Sequence, residues 1–415
     1  MRIHPRPVRG LAAPIWPLVL VLLAVLVGGA RLAAAAAPPA LSAELEAALR
    51  AGIDANFAGD FDSAARHFGA ARQLAPDHPA PAFFAVTTLF WRIELDSTET
   101  RHDDAIRAGI ERAVELAERR LEADPDDAEA LAWGGQALSY TSRREAQLGR
   151  YYSAGSTGER ARKWLDRSLA LAPGYPEPKP ALGAYLYFSD LAPRALKWLS
   201  FLWFVPKGDA KRGLDLLEEA ATSDGLGQLG SRYALAKILT RFEPARRDEA
   251  VRLIQGLHER FPSNAVLHLD LIRALAERGD LERATREANE VRSRAAEGVQ
   301  TYDARTPVAA SLWQARAALL AGNAEAADTQ LASLDGTALG RLAWAPAWHG
   351  LMVGQLHDVR GERDAAIAAY QRVIDLDGAG RDVLTQTLAR NYLEAPWQAP
   401  GNAADVATSA PAPAR

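Results

Sequence analysis

The stretch "GDFDSAARHFGAARQLAP", Gly59 to Pro76, predicts a helix that is entered through a glycine turn and closed by a proline. Ala64, Phe68 and Ala71 follow i, i+4, i+7 spacing, which places all three on one face of that helix. The proline at the end cannot continue a helix. The stretch therefore predicts a short amphipathic helix that buries a face of small and aromatic side chains.

The same order of residues recurs along the chain, as in "GDLERATREANEV" from Gly279 and "GERDAAIAAYQRVIDLDG" from Gly361. Upstream of the first and last copies, Gly52 and Gly354 interrupt another helical segment, and small residues there permit a second helix to approach closely. The repeat-defining positions are Gly59, Ala64, Phe68, Pro76, Gly279, Ala284, Gly322, Ala327, Gly361, Ala366 and Tyr370.

Two helices joined by a glycine turn and repeated at this spacing resemble the tetratricopeptide repeat (TPR), a helix–turn–helix unit of about 34 residues. The resemblance implies an all-α fold: a right-handed TPR superhelix, or α-solenoid, of about eight units between residues 41 and 394. Such an array has a concave groove lined by the first helix of each unit.

Two units are longer than the repeat, and we predict insertions at their elbows, at about 139–158 and 190–207. The second contains "ALKWLSFLWFVPKGD", Ala195 to Asp209, in which Trp198, Phe201, Trp203 and Phe204 crowd together. As a helix its apolar part would be about 18 Å long, too short for a hydrocarbon layer of about 30 Å. Three interpretations stay open: a plug in the groove, a segment at a lipid interface, and a docking site for a partner protein.

The segment around this insertion carries a second resemblance. "LGAYLYFSDLAPRALKWLSFLWFVPKGDAKRGLDLLEEA", Leu182 to Ala220, resembles the signature of a eukaryotic TPR family of inclusion-body clearance and mitochondrial outer-membrane proteins. The resemblance implies a TPR architecture and membrane association, and it brings no catalytic residues. An export signal would set this chain apart from that family.

The N-terminal 40 residues have a basic lead, an apolar run and a string of alanines, which is typical of a secretory signal peptide. An uncleaved membrane anchor is the alternative, because the apolar run approaches the roughly 20 residues that span a bilayer. Either interpretation predicts a periplasmic or cell-envelope location, with anchoring in the inner membrane in the second case. The Pro/Ala-rich tail, 395–415, is predicted to be disordered.

The sequence offers no motif for catalysis or for a cofactor. There is no cysteine, and His349 and His357 have no carboxylate set that would complete a metal site. "SAGSTGER", Ser153 to Arg160, lacks the GK[ST] of a nucleotide loop and is interpreted as a flexible elbow. A net charge of −4 gives no reason to expect a nucleic acid as partner.

These observations predict a non-catalytic TPR scaffold of the cell envelope that binds a protein or peptide in its concave groove. The alternative is a membrane-associated assembly or biogenesis factor, held by the N-terminal segment and by the aromatic insertion at 194–205. Aromatic residues are frequent binding anchors, so the candidate contacts are Tyr140, Tyr151, Tyr152, Tyr185 and Tyr187, with the four aromatic residues of the second insertion.

Overall fold

The computed structural model describes residues 38, 40–191, 208–377 and 382–399, and the regular structure of these ranges is helical. In chain order the helices are α1 Ala43–Ala58, α2 Phe61–Leu74, α3 Pro79–Arg92, α4 Asp103–Ala123, α5 Ala128–Gln147, α6 Tyr151–Leu171, α7 Lys179–Leu191, α8 Ala210–Thr222, α9 Gln228–Phe242, α10 Arg247–Arg260, α11 Ala265–Arg278, α12 Leu281–Ala296, α13 Thr306–Leu320, α14 Ala324–Ala332, α15 Gly336–Leu339, α16 Ala345–Val359, α17 Arg363–Ile374 and α18 Val383–Glu394.

The helices pair into eight antiparallel units, which confirms the predicted TPR-type array. Units 1 to 8 are α1–α2, α3–α4, α5–α6, α7–α8, α9–α10, α11–α12, α13–α14 and α16–α17. The short α15 lies between units 7 and 8, and α18 packs on the last pair. First helices of neighbouring units contact one another, so they form the inner face of the array.

The glycine-acid pair at the turns of units 1 and 6 has a specific structural role. Gly59 and Gly279 end their helices in the left-handed conformation, with φ of 79° and 87°, which glycine adopts without a steric penalty. The next residue caps the following helix: the side chains of Asp60 and Asp280 accept hydrogen bonds from the backbone N–H groups of Ser63 and Arg283. Sequence therefore sets both the end of one helix and the start of the next.

The repeat-defining alanines and aromatics lie in the core, as predicted. Ala64, Ala284, Ala327 and Ala366 are completely buried, and Phe68 and Tyr370 fill equivalent positions in units 1 and 8. Most buried side chains form one continuous core from Leu45 to Trp397. Gly322 and Gly361 also adopt positive φ, and Pro76 follows the end of α2.

The first predicted insertion forms helix, so its interpretation as a flexible elbow was wrong. Helix α5 continues to Gln147 and α6 begins at Tyr151, so "SAGSTGER" lies inside α6. Gly158 is needed there, because a Cβ at this position would lie 2.9 Å from Oγ of Ser142 and 3.0 Å from the ring of Tyr185. The insertion lengthens both helices of unit 3.

Much of the second insertion, 192–207, lies outside the described residues, as does the predicted signal or anchor, apart from Pro38 and Ala40. The predicted contacts in the second insertion, Trp198, Phe201, Trp203 and Phe204, are therefore outside the described residues. Most of the tail lies outside them as well. In the described part of the chain, no helix has the length and apolar content needed to cross a bilayer.

Candidate binding surfaces

The inner face of the array is partly filled by an aromatic cluster that joins distant units. Phe57 of α1 packs against Trp91 of α3, with ring centroids 4.9 Å apart, and against Phe261 at the end of α10, at 5.5 Å. Trp91 stacks on Tyr233 of α9 at 5.1 Å. Units 1 and 2 therefore touch unit 5 directly across the inner face.

An ionic network lies beside this cluster. Glu94, just after α3, accepts a hydrogen bond from Arg143 of α5 at 2.5 Å and pairs with Lys237 of α9. Tyr233 donates its hydroxyl to Asp270 of α11 at 2.7 Å. Burial acts to raise the pKa of Glu94, but Lys237 and Arg143 outweigh burial and lower this pKa to about 2. Glu94 is consequently ionised at every physiological pH.

Backbone contacts complete the closure of the array. Asn264 donates its side-chain amide to the carbonyl oxygen of Phe57 at 2.9 Å, and Ser263 donates to that of Ala58 at 2.6 Å. At the other end, the indole of Trp344 donates to the carbonyl oxygen of Leu95 at 2.9 Å. The predicted groove is thus closed by the chain's own side chains between units 1–2 and units 5–8, which differs from a groove open along the whole array.

A second aromatic cluster covers the inner face of units 6 to 8. The guanidinium of Arg273 lies 4.4 Å from the ring centre of Trp313 and 5.1 Å from that of Trp348. Burial, and the like charge of Arg241, lower the pKa of Arg273 to about 9. Trp313 also stacks on Trp344 at 5.4 Å. This region holds a tight core and a cation, and a hollow of about 10 Å³ adjoins Arg273.

Two exposed phenylalanines whose rings contact each other lie at the elbow edge of units 4 and 5. Phe188 of α7 is 50% exposed and Phe242 of α9 is 37% exposed, and their rings meet edge to face at 6.0 Å. Tyr187 lies beneath them and contacts both rings. We call Phe188 and Phe242 the elbow pair.

The elbow pair adjoins the point where the second insertion leaves and rejoins the array. The backbone N–H of Asp209 donates to the carbonyl oxygen of Leu186 at 3.1 Å, and Gly208 packs against the backbone of Asp190. The two ends of the insertion are thereby held together at Leu186 and Asp190, each two residues from Phe188. The apolar sequence of 192–207 is thus attached to the array beside the exposed rings.

Two cations at the start of α8, just after the second insertion, have carboxylate partners. Lys211 pairs with Asp215 at 2.7 Å, and Arg212 pairs with Asp166 at 3.3 Å. Beneath the elbow pair, the hydroxyl of Tyr187 donates to Glu243 at 2.7 Å. The charges of Lys211 and Arg212 are therefore balanced by neighbouring carboxylates.

The five tyrosines that were predicted as contacts differ in how exposed they are. Tyr187 is 1% exposed and belongs to the core, so in this conformation its ring cannot contact a partner, which corrects the prediction. Tyr140 packs on the inner face between Phe83 and Phe90, and Tyr185 donates to Glu159 at 3.1 Å while staying partly exposed. Tyr151 and Tyr152 are 58% and 72% exposed at the start of α6.

Sequence reasoning missed the partnership of Phe188 with Phe242. Phe188 adjoins the tyrosines of "YLYF", but Phe242 ends the first helix of the next unit, in the unremarkable stretch "TRFEP". Only the packing of α7 beside α9 brings the two rings together. His349 and His357, noted in the sequence, have separate partners: Leu331 O at 3.1 Å and Glu362 at 2.6 Å.

No protein-family model matches this chain, and no curated protein matches it either. Among solved structures, human IFIT1 in a dimer with m7Gppp-AAAA is 15% identical, with 86% of each chain covered and a TM-score of 0.40. Yeast Tom70 is 11% identical, with 82% of this chain and 87% of that chain covered and a TM-score of 0.38. The APC/C hetero-tetramer Cut9–Hcn1 is 14% identical, with 85% of this chain and 72% of that chain covered and a TM-score of 0.30. At such values the likenesses carry no argument about ligands or partners.

Proposed function

We propose that this protein is a non-catalytic interaction scaffold of the cell envelope that binds a protein or peptide partner at the elbow edge of units 4 and 5. The observation that carries the proposal is the elbow pair, two exposed phenylalanines that adjoin the ends of the apolar insertion. Clustered aromatic side chains of this kind dominate the free energy of many protein interfaces.

The elbow edge is a better docking surface than the inner face. On the inner face the rings of Phe57, Trp91 and Tyr233 already pack against one another. The charge of Glu94 is balanced by Lys237 and Arg143. A ligand in that region would have to displace native contacts before it made its own. Phe188 and Phe242 leave part of each ring in water, so covering them is favourable by about 25 cal/mol per Å² of apolar surface buried.

A protein partner also accounts for the elbow edge better than a lipid surface does. Lys211 and Arg212 are paired with carboxylates, which reduces their attraction for anionic headgroups. The membrane-associated biogenesis factor remains the alternative outcome, since the tryptophans of the insertion suit a headgroup layer. Export to the envelope is proposed from the N-terminal sequence alone.

Photo-crosslinking in intact cells tests this function. A benzophenone amino acid is placed at Phe188 or Phe242 in the full chain, and at Leu74, which is equally exposed but lies at the end of α2 in unit 1. We expect one discrete protein adduct from the elbow positions and none from Leu74. In a second experiment the benzophenone amino acid replaces Tyr151, with and without the double substitution Phe188→Ser/Phe242→Ser. Loss of the adduct in the double variant would show that partner binding needs the pair.

Two outcomes would count against the proposal. Adducts of equal yield at all positions, or none at the elbow, would remove it. Lipid adducts at the elbow, with flotation on anionic vesicles that Trp198→Ser/Trp203→Ser abolishes, would instead support the membrane-associated alternative. Release of the protein by osmotic shock, against retention in washed membranes, separates a free periplasmic protein from an anchored one.

A further inference from the structure

Three side chains with metal-ligand chemistry meet between units 5 and 6, and none of them is among the repeat-defining residues. His258 lies in the last turn of α10, His268 in the first turn of α11, and Glu287 in the middle of α12. One nitrogen or oxygen of each lies within 4.8 Å of the corresponding atoms of the other two. The two imidazole rings are 4.2 Å apart and nearly parallel.

His268 is held in place on both sides. Its Nε2 is 2.9 Å from Oε2 of Glu287, and its Nδ1 is 3.0 Å from the hydroxyl of Tyr302. That hydroxyl is also 3.0 Å from the carbonyl oxygen of Pro262. Two proton arrangements satisfy this chain: Tyr302 donates to His268, or His268 donates to Tyr302, which then donates to Pro262.

The second arrangement is the one that a metal ligand needs. With its proton on Nδ1, His268 points the lone pair of Nε2 toward Glu287. In the first arrangement a proton on Nε2 lies between these two side chains, and a cation would take the place of that proton. Ligand histidines usually donate their other N–H to an oxygen that fixes the ring. Tyr302, itself backed by Pro262, supplies that oxygen.

His258 adds a second, independent observation. Its side chain is nine-tenths buried, and its Nδ1 has no hydrogen-bond partner among the described residues. An unpaired polar atom in such a position is unfavourable, and a bound cation would satisfy it.

The charges around the three side chains permit a cation. Glu287 faces the cluster, and Glu290 lies on the same helix. Two cations lie near the cluster. Arg283 donates to Gln255 at 2.9 Å, and Arg294 donates to Glu290 at 2.7 Å, to the carbonyl oxygen of Pro262 at 2.6 Å and to the hydroxyl of Tyr302 at 3.3 Å. Glu287 is partly exposed, which leaves a path from solvent to the cluster.

We propose that His258, His268 and Glu287 bind a divalent transition metal, with zinc the best fit, and that a water completes the coordination. Two imidazoles and one carboxylate are a ligand set that zinc takes, at about 2.0–2.2 Å from each atom. A tetrahedral ion at that distance sets its ligand atoms about 3.3 Å apart, so His258 must move toward the other two while His268 and Glu287, now 2.9 Å apart, separate slightly. The bound metal would tie α10, α11 and α12 together across the boundary between units 5 and 6.

Titration of the metal-free full chain with Co²⁺ tests the site, because tetrahedral Co²⁺ absorbs visibly and substitutes for zinc. We expect one equivalent to bind, to be displaced by Zn²⁺, and to raise the midpoint of thermal unfolding. Glu287→Gln and His258→Asn should each weaken binding at least 100-fold, since each removes a ligand. Tyr302→Phe should weaken it about 10- to 100-fold through the orientation of His268 alone.

His349→Gln is the matched control, since it removes a partly buried histidine that bonds only a backbone carbonyl. It should leave the affinity unchanged. Absence of the absorption band in the wild type, or equal weakening by His349→Gln and Glu287→Gln, would overturn the proposal. Because Glu287 lies at the surface, circular dichroism of Glu287→Gln shows whether that variant stays folded.

Discussion

Gly52 and Gly354 occupy equivalent positions in the first and last units, and each receives an aromatic ring from the second helix. A Cβ at Gly52 would lie 2.6 Å from Cδ1 of Phe68, and one at Gly354 would lie 2.6 Å from Cδ1 of Tyr370. Real Cβ atoms do not come so close, so the missing side chain is what lets the two helices of a unit interlock. The glycine and the ring define the unit as a pair.

We predict that Gly52→Ala lowers the free energy of unfolding by about 1–3 kcal/mol, because the added methyl group forces Phe68 out of its position. Gly69→Ala is the control: Gly69 lies inside α2 with open space around its Cα, and alanine there should stabilise the helix by up to about 1 kcal/mol. Urea unfolding of both variants measures the difference. Equal shifts in the same direction would contradict the interlock.

At the scale of elements, ion pairs connect helices that are far apart in the sequence. Glu94 follows α3, yet its partners are Arg143 in α5 and Lys237 in α9. Removing one member of a buried ion pair leaves the others unpaired, which costs more than the pair contributes. Exposed pairs along single helices, such as Lys211 with Asp215, have no such consequence.

We predict that Glu94→Gln lowers the free energy of unfolding by about 3 kcal/mol at pH 7. In the folded state the pKa of Glu94 falls from 4.5 to about 2, so its ionised form stabilises the fold above pH 4.5. This contribution declines as the pH falls from 4.5 toward 2, and the difference between variant and wild type should at least halve by pH 3. Denaturant titrations at both values measure it, with Asp215→Asn expected to change the free energy by less than about 1 kcal/mol. A constant difference at both pH values would exclude the ion-pair explanation.

Over the whole molecule, the array is closed across its inner face. Phe57, Ser263 and Asn264 join unit 1 to units 5 and 6, and Trp344 joins the turn of unit 2 to unit 8. An open solenoid is held only by contacts between neighbours, so each unit bends independently. Here the cross-array contacts restrict that bending and leave the outer edges as the accessible surface.

We predict that Phe57→Ala opens the array, whereas Phe68→Ala does not. Both rings are buried in unit 1, so each loss should cost about 3–5 kcal/mol, but only Phe57 contacts unit 5. Small-angle scattering should show a larger radius of gyration for Phe57→Ala at a temperature where both variants stay folded. Equal radii for the two variants would show that the closure does not depend on this ring.

The repeat itself was predictable from sequence, because its signals are local. A glycine that turns left-handed, an acidic or amide residue that caps the next helix, and small residues at i, i+4, i+7 act within a few residues of one another. The elbow of unit 3 was mispredicted because Gly158 looked like a flexible position. Its actual role depends on Tyr185, which reaches it from the next unit.

Sequence by itself determined that helices pair through glycine turns and stack into an all-α array, since each of those steps is set by neighbouring residues. Only the tertiary structure decided that Phe57 meets Tyr233, that Phe188 meets Phe242, and that His258 and His268 face Glu287. These contacts depend on small rotations between successive units that add up along the array. No local pattern encodes such a sum, so the closed inner face, the elbow pair and the histidine cluster emerge only in three dimensions.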